Sequence, residues 1–168
     1  FYDDTKPHGM SKTMNQFIAG SLQAMPEFTA LLAPNPNSYR RYRKYSWAGT
    51  TATWGIDNRS AGLRVICEGS SGTRVEHRQA GGDVNPYIAS AAVLAAGFSG
   101  IAAKLDPPKM IDGDIYGPSQ PKLLKTEGIK PAATALSKAA NSATRFKNFS
   151  ARSNVWRISG RPLSIDST

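Results

Sequence analysis

At 168 residues, with 40% hydrophobic residues and a formal charge of +9, the chain has the length of one ordinary domain or part of a larger one, and can bury a sizeable core. A single cysteine excludes an intrachain disulfide and fits a reducing compartment, so cytoplasm is the expected location, and a start at Phe1 with no leader pattern points to an internal fragment. The charge is uneven: residues 36–80 carry eight Arg/Lys against three acids and residues 141–168 five against one, an excess that attracts phosphates on nucleic acid, membrane or nucleotide without choosing among them.

After a polar entry, Ser11 is placed to cap a helix whose apolar positions Met14, Phe17, Ile18, Leu22 and Met25 follow helical spacing. Pro26 interrupts that pattern and predicts a second short helix carrying Phe28, Leu31 and Leu32, since proline is tolerated in a first turn. From Asn35 to Gly49, "NPNSYRRYRKYSWAG" has too much punctuation for a helix and too much charge for a core, and reads as a loop. "TTATWGIDNRSAGLRVI" predicts two short strands around a turn or bulge, and "GTRVEHR" a third strand. In that strand Arg74, Glu76 and Arg78 share one side, and Val75 and His77 the other.

Asn85-Pro86 is a helix start, and the helix is expected to run to about Lys104. Its apolar run is at the lower length limit for a membrane span, but its Ser, Gly and Ala content favours a buried helix packed closely on a sheet. "LDPPKMIDGDIYGPSQPK" reads as a crossing loop, "KPAATALSKAANSATRF" as one more helix, and "SARSNVWRISGRPLSIDST" as a poorly ordered tail. Strands and helices in this irregular order suggest an α+β arrangement with helices backing a sheet.

A strand face bearing Arg, Glu and Arg is in most proteins simply solvated. Here Arg59 and Arg64 lie upstream and Arg40 and Arg41 in the preceding loop, so several guanidinium groups can converge near one carboxylate. Arginine binds phosphate or carboxylate bidentately and stays charged, while a single Glu can contribute to a Mg2+ site completed by phosphate oxygens. In one regular strand Arg59 and Arg64 would face opposite ways, so convergence requires a bulge or turn near Ser60-Ala61-Gly62. His77 reads as a packing or surface residue rather than a metal ligand, His8 and Tyr116 as loop residues, and Cys67 has no His or Cys partner at useful spacing for thiol catalysis.

Four motifs in order, "NPNSYRR" (35–41), "NRSAGLR" (58–64), "TRVEHR" (73–78) and "NPYIASAAVLAAGFSGI" (85–101), resemble the C-terminal catalytic portion of glutamine synthetases and related glutamate–amine ligases. The likeness covers residues 1–120, weakens over a helical continuation at 121–149, and is lost in a divergent tail at 150–168. It implies a partial catalytic domain with a mostly antiparallel sheet backed by helices. The implied activity is ATP-dependent ligation of glutamate to ammonia or another amine through a γ-glutamyl phosphate, with Mg2+ or Mn2+. Carried over on matching positions, Glu76 would hold the metal near the ATP γ-phosphate, and Arg59, Arg64 and Arg74 would bind ATP phosphates. Arg59 would also act catalytically by neutralising the transferring phosphoryl group, and Arg41 and Arg78 would hold glutamate.

Trp47 stands where glutamine synthetases carry a glutamate that helps deprotonate ammonium, which resembles the branch acting on larger amines such as polyamines or aromatic amines. The family's amino-terminal domain and its other metal-binding glutamates would precede Phe1, and its site is shared between neighbouring subunits of stacked rings. A homo-oligomer is therefore expected, with no membrane partner and no activity from these residues alone. A competing reading takes "SYRRYRKYSW" as basic and aromatic residues for binding nucleic acid, and another takes the chain as a non-catalytic structural relative.

Overall fold

A computed structural model describes residues 1–116 of the chain. The expected helix within 130–146 and the tail at 150–168 lie outside the described residues.

The first long helix, α1 (Lys12–Leu32), starts where the sequence predicts: Ser11 Oγ accepts a hydrogen bond from Met14 N at 3.1 Å. It does not break at Pro26, contrary to the two-helix expectation. Pro26 removes the N–H that would reach the Leu22 carbonyl, at a cost of about 3 kcal/mol in a helix interior. Beyond it, Phe28 and Leu32 are buried, and two such side chains contribute roughly 3–6 kcal/mol together, enough to carry the helix on. Chain reversal follows at Ala33, where Pro34 and Asn35-Pro36 prevent continuation.

The expected loop from Asn35 contains a 3-10 helix, Pro36–Arg41. Asn35 and Ser38 close a reciprocal capping box at its start, with Asn35 N donating to Ser38 Oγ at 3.1 Å. Three strands follow: β1 (Trp54–Ile56), β2 (Leu63–Ile66) and β3 (Arg74–His77), in the order β1-β2-β3. The sheet is mixed rather than mostly antiparallel, because β1 pairs parallel to β2 while β2 pairs antiparallel to β3. A parallel pair usually needs a long crossover. Here the strands are so short that residues 57–62 return the chain, held by Asn58, whose Oδ1 accepts from Ser60 N and Oγ and whose Nδ2 donates to Ile111 O and Gly113 O. A single helical turn, α2 (Gly69–Gly72), leads into β3.

Leu63 and Val65 on one sheet face pack with Trp54 against Met14, Ile18, Leu22 and Met25 of α1. The opposite side of α1 meets α3 (Pro86–Ala102), so α1 is the middle layer between sheet and helix. Asn85 caps α3 as expected, its Oδ1 accepting from Tyr87 N and Ile88 N. Two expectations for α3 are corrected. It packs on α1 rather than on the sheet, and it buries only Ala92, Ala96, Gly97 and Gly100, leaving Tyr87, Ile88, Leu94 and Phe98 exposed. Small residues decide the contact: a Cβ on Gly20 would lie 2.7 Å from Gly100 Cα, so the two backbones touch where neither has a side chain. No helix among the described residues is long and apolar enough to cross a membrane.

Candidate active site

The face of the sheet turned away from α1 carries the charge. Register places Arg64 opposite Glu76, and Arg64 Nη1 donates to Glu76 Oε2 at 3.1 Å. Arg74 and Arg78 flank Glu76 on the same face, with Arg74 Nη2 3.6 Å from Oε1 and Arg78 Nη1 3.8 Å from Oε2. Three guanidinium groups therefore surround the Glu76 carboxylate, and Asp57 and Glu68 pair with Arg64 and Arg74 from outside, so the face gathers fixed guanidinium donors suited to phosphate or carboxylate oxygens. Arg74 is further held by Glu68 at 3.4 Å and by the Gly72 carbonyl at 2.9 Å.

Arg64 is held from two sides, by Glu76 and by Asp57. Asp57, at the end of β1, accepts from its Nε at 3.0 Å and from its Nη2. Those bonds hold the Asp57 carboxyl below the ordinary carboxylate range and raise the Arg64 guanidinium above its own. Arg59 does not join this cluster. It is exposed, makes no ion pair among the described residues, and lines an open cavity of about 460 Å3 with Trp47, Asp57, Ser60, Asp112 and Asp114. A turn does form near Ser60-Ala61-Gly62, closed by Asn58, but it does not bring Arg59 into the cluster with Arg64.

Arg41 also stands outside the Glu76 cluster, its Nη1 donating to the Gln79 carbonyl at 3.3 Å. That carbonyl accepts from Tyr42 Oη at 2.9 Å as well, and burial pushes the Tyr42 phenol up to about 12. Tyr39 and Tyr42 pack edge to face at 5.9 Å. Of the aromatic residues that would stack on bases in the nucleic-acid reading, Tyr39 and Tyr42 are thus engaged within the protein, while Tyr45 and Trp47 are exposed.

Trp47 is exposed, with a left-handed backbone at φ 59°, and its carbonyl accepts from Arg78 Nη2 at 3.0 Å. Its indole meets Tyr116 edge-on at 6.2 Å, while Tyr116 Oη donates to the Ala48 carbonyl at 3.1 Å. An unfavourable backbone conformation held by both a guanidinium and a neighbouring ring fixes an aromatic surface beside the arginines. His77 lies on the opposite, core-facing side as expected, and burial lowers its imidazole to about 4. Burial raises the Cys67 thiol, which weighs against an activated nucleophile.

Glu76 fits a divalent cation only in part. Among the described residues no group of three or more His, Cys, Asp or Glu that could hold a metal ion comes together, and Glu76 is the carboxylate at the centre of the arginines. Asp57, Asn58, Gln79 and Asp83 were not singled out by the sequence, although Asn-x-Ser at 58–60 and Asn-Pro-x-Ser at 35–38 are the local signals of their turns.

Comparison with known proteins gives the chain's family. The chain is 48% identical over 108 residues to a γ-glutamylethanolamide synthetase of Streptomyces coelicolor, covering 64% of this chain and 23% of that protein. It is 47% identical over 117 residues to a type-1 glutamine synthetase of Dictyostelium discoideum, covering 69% and 22% respectively. A glutamate–isopropylamine ligase of a Pseudomonas species is 39% identical over 140 residues, covering 83% and 29%. The chain thus spans roughly a quarter of the length of the relatives it matches. The family described as glutamine synthetase, catalytic domain, matches residues 1–150, and the chain belongs to that family.

Proposed function

We propose that the protein to which these residues belong ligates the γ-carboxyl group of glutamate to an amine, using ATP and a divalent cation such as Mg2+ or Mn2+. The observation that carries this reading is the gathering of Arg64, Arg74 and Arg78 around Glu76 on one sheet face. In the proposed assignment Arg64 and Arg74 hold phosphate oxygens, Arg59 neutralises the phosphoryl group in transfer, and Arg41 and Arg78 orient the carboxylates of glutamate. Glu76 contributes one carboxylate to the cation. ATP supplies the phosphoryl group that converts the γ-carboxylate into a γ-glutamyl phosphate, which an amine then displaces. The protein's part is positioning and charge neutralisation, the chief requirements of phosphoryl transfer.

Trp47 bears on which amine is accepted. An indole offers an apolar wall to an alkyl chain and no charge to attract ammonium, so an amine larger than ammonia is the preferred substrate in this reading. Relatives named for ethanolamine, isopropylamine and putrescine derivatives support that choice. A homo-oligomer of stacked rings in the cytoplasm belongs to the same proposal, because one carboxylate and one wall of arginines leave the site to be completed from elsewhere.

The test is ADP release by the longest natural chain carrying these residues, with ATP, Mg2+ and glutamate, comparing ammonium with ethanolamine, isopropylamine and putrescine. Turnover is expected to require both glutamate and an amine, to favour a larger amine, and to disappear in Glu76→Ala. A folded protein that releases no ADP with any amine would sink the ligase reading and leave a structural relative.

A further inference from the structure

The turn that follows β3 is bound to the 3-10 helix Pro36–Arg41 at both of that helix's ends. At the start, Asp83 Oδ2 accepts from Ser38 Oγ at 2.5 Å and from Asn35 Nδ2 at 3.1 Å, so the capping box rests on a carboxylate. At the far end, the Gln79 carbonyl accepts from Arg41 Nη1 and from Tyr42 Oη. The turn itself is anchored to α1: Gln79 Nε2, wholly buried, donates to Thr29 Oγ1 at 2.7 Å, and Gly81 N donates to Leu32 O at 3.1 Å.

Between these two ends, Asp83 and Arg41 border Gly81 without forming an ion pair within 4 Å. A Cβ there would strike Asp83 Oδ1 and lie 3.1 Å from Arg41 Nη1, so the glycine leaves open the space between carboxylate and guanidinium, which act on each other through charge rather than by a direct bond. The bonds from Ser38 and Asn35, aided by the Arg41 charge, hold the Asp83 carboxyl below its ordinary range, so it is ionised at neutral pH.

We propose that Asp83 is a positioning residue for Arg41: its carboxylate holds the 3-10 helix and orients the guanidinium, and so sets how tightly the protein binds the carboxylate of glutamate. This rests on the assignment of Arg41 to glutamate made above. A point charge that fixes a substrate-binding arginine acts on ground-state affinity, so it moves KM more than kcat.

Kinetics of Asp83→Asn in the longest natural chain carrying these residues test it. The amide keeps an oxygen for Ser38 but removes the charge facing Arg41. KM for glutamate is expected to rise roughly tenfold, with KM for ATP and kcat within about threefold of the parent and a thermal midpoint shifted little. Gly81→Ala, which intrudes between the two groups, is expected to raise the same KM. In an Arg41→Ala background Asp83→Asn is expected to raise KM no further, because the two act through one guanidinium. A glutamate KM unchanged in Asp83→Asn while Arg41→Ala raises it overturns the positioning role alone. So does a fall in kcat and thermal midpoint with KM unmoved, which marks a purely structural residue. An unchanged KM in Arg41→Ala overturns the assignment of Arg41 first, and the positioning role with it.

Discussion

Alternation along β3 decides the fate of each residue in "TRVEHR", and the two faces have opposite chemistry. Arg74, Glu76 and Arg78 form the charged surface, while His77, directly opposite Leu63, faces the core. His77 Nδ1 is buried with no hydrogen-bond partner among the described residues, and burial lowers its imidazole from 6.5 to about 4. Because the folded form stays neutral where the unfolded chain is already protonated, the unfolded state binds more protons between those values. Stability is therefore expected to fall as pH drops from 6.5 toward 4, by roughly 2–3 kcal/mol for this one group, and to be insensitive to it above 6.5. Thermal midpoints measured across that range for the parent and for His77→Gln check this. The variant should lose part of the acid slope, and an identical slope would show that His77 is not the group responsible. The period of a strand was enough to place Arg74, Glu76 and Arg78 together, and Arg64 joined them through register. Arg59 and Arg41 were harder to place, since their positions depend on Asn58 and on the Gln79 carbonyl, which are tertiary anchors.

Among elements, the contact between α1 and α3 is the one most sensitive to volume. A Cβ on Gly100 would strike the Gln16 carbonyl and lie 2.6 Å from Gly20 N, so backbone rather than a flexible side chain would have to move. Gly100→Ala is expected to destabilise by about 2 kcal/mol despite the better helix propensity of alanine, because overpacking outweighs propensity here. Gly82→Ala, where a Cβ would meet nothing within 4 Å, is the control and should be near neutral. Chemical denaturation of both variants gives the comparison, and equal midpoints would mean that the helices separate at little cost. The same layer explains Pro26. A helix with a partner on each side has enough burial beyond the proline to continue, which no local pattern around residue 26 could reveal.

On the scale of the whole molecule, the described residues provide one wall of a site in the proposed reading. They place three arginines on one carboxylate and an indole at the edge of an open cavity, and no group of three or more metal-binding side chains comes together among them. Residues 1–168 on their own are accordingly expected to show no glutamate- and amine-dependent ADP release. The same assay that tests the proposed function decides this, and turnover from these residues alone would mean that the site is complete within them. The exposed apolar stripe of Tyr87, Ile88, Leu94 and Phe98 on α3 corrects the expectation of a buried helix: burial was read from composition, whereas exposure depends on what lies alongside.

By itself the sequence determined the starts of α1 and α3, the three strands, and the shared face of Arg74, Glu76 and Arg78. Caps and alternation need only neighbours a few residues away. Only the tertiary structure decided the parallel pairing of β1 with β2, the passage of α1 through Pro26, and the seating of α3 on α1. It also decided that Asp57 holds Arg64 and that Asp83 and Gln79 hold the Arg41 segment. Each of those outcomes joins groups brought together by packing, at energies comparable with the local preferences they override.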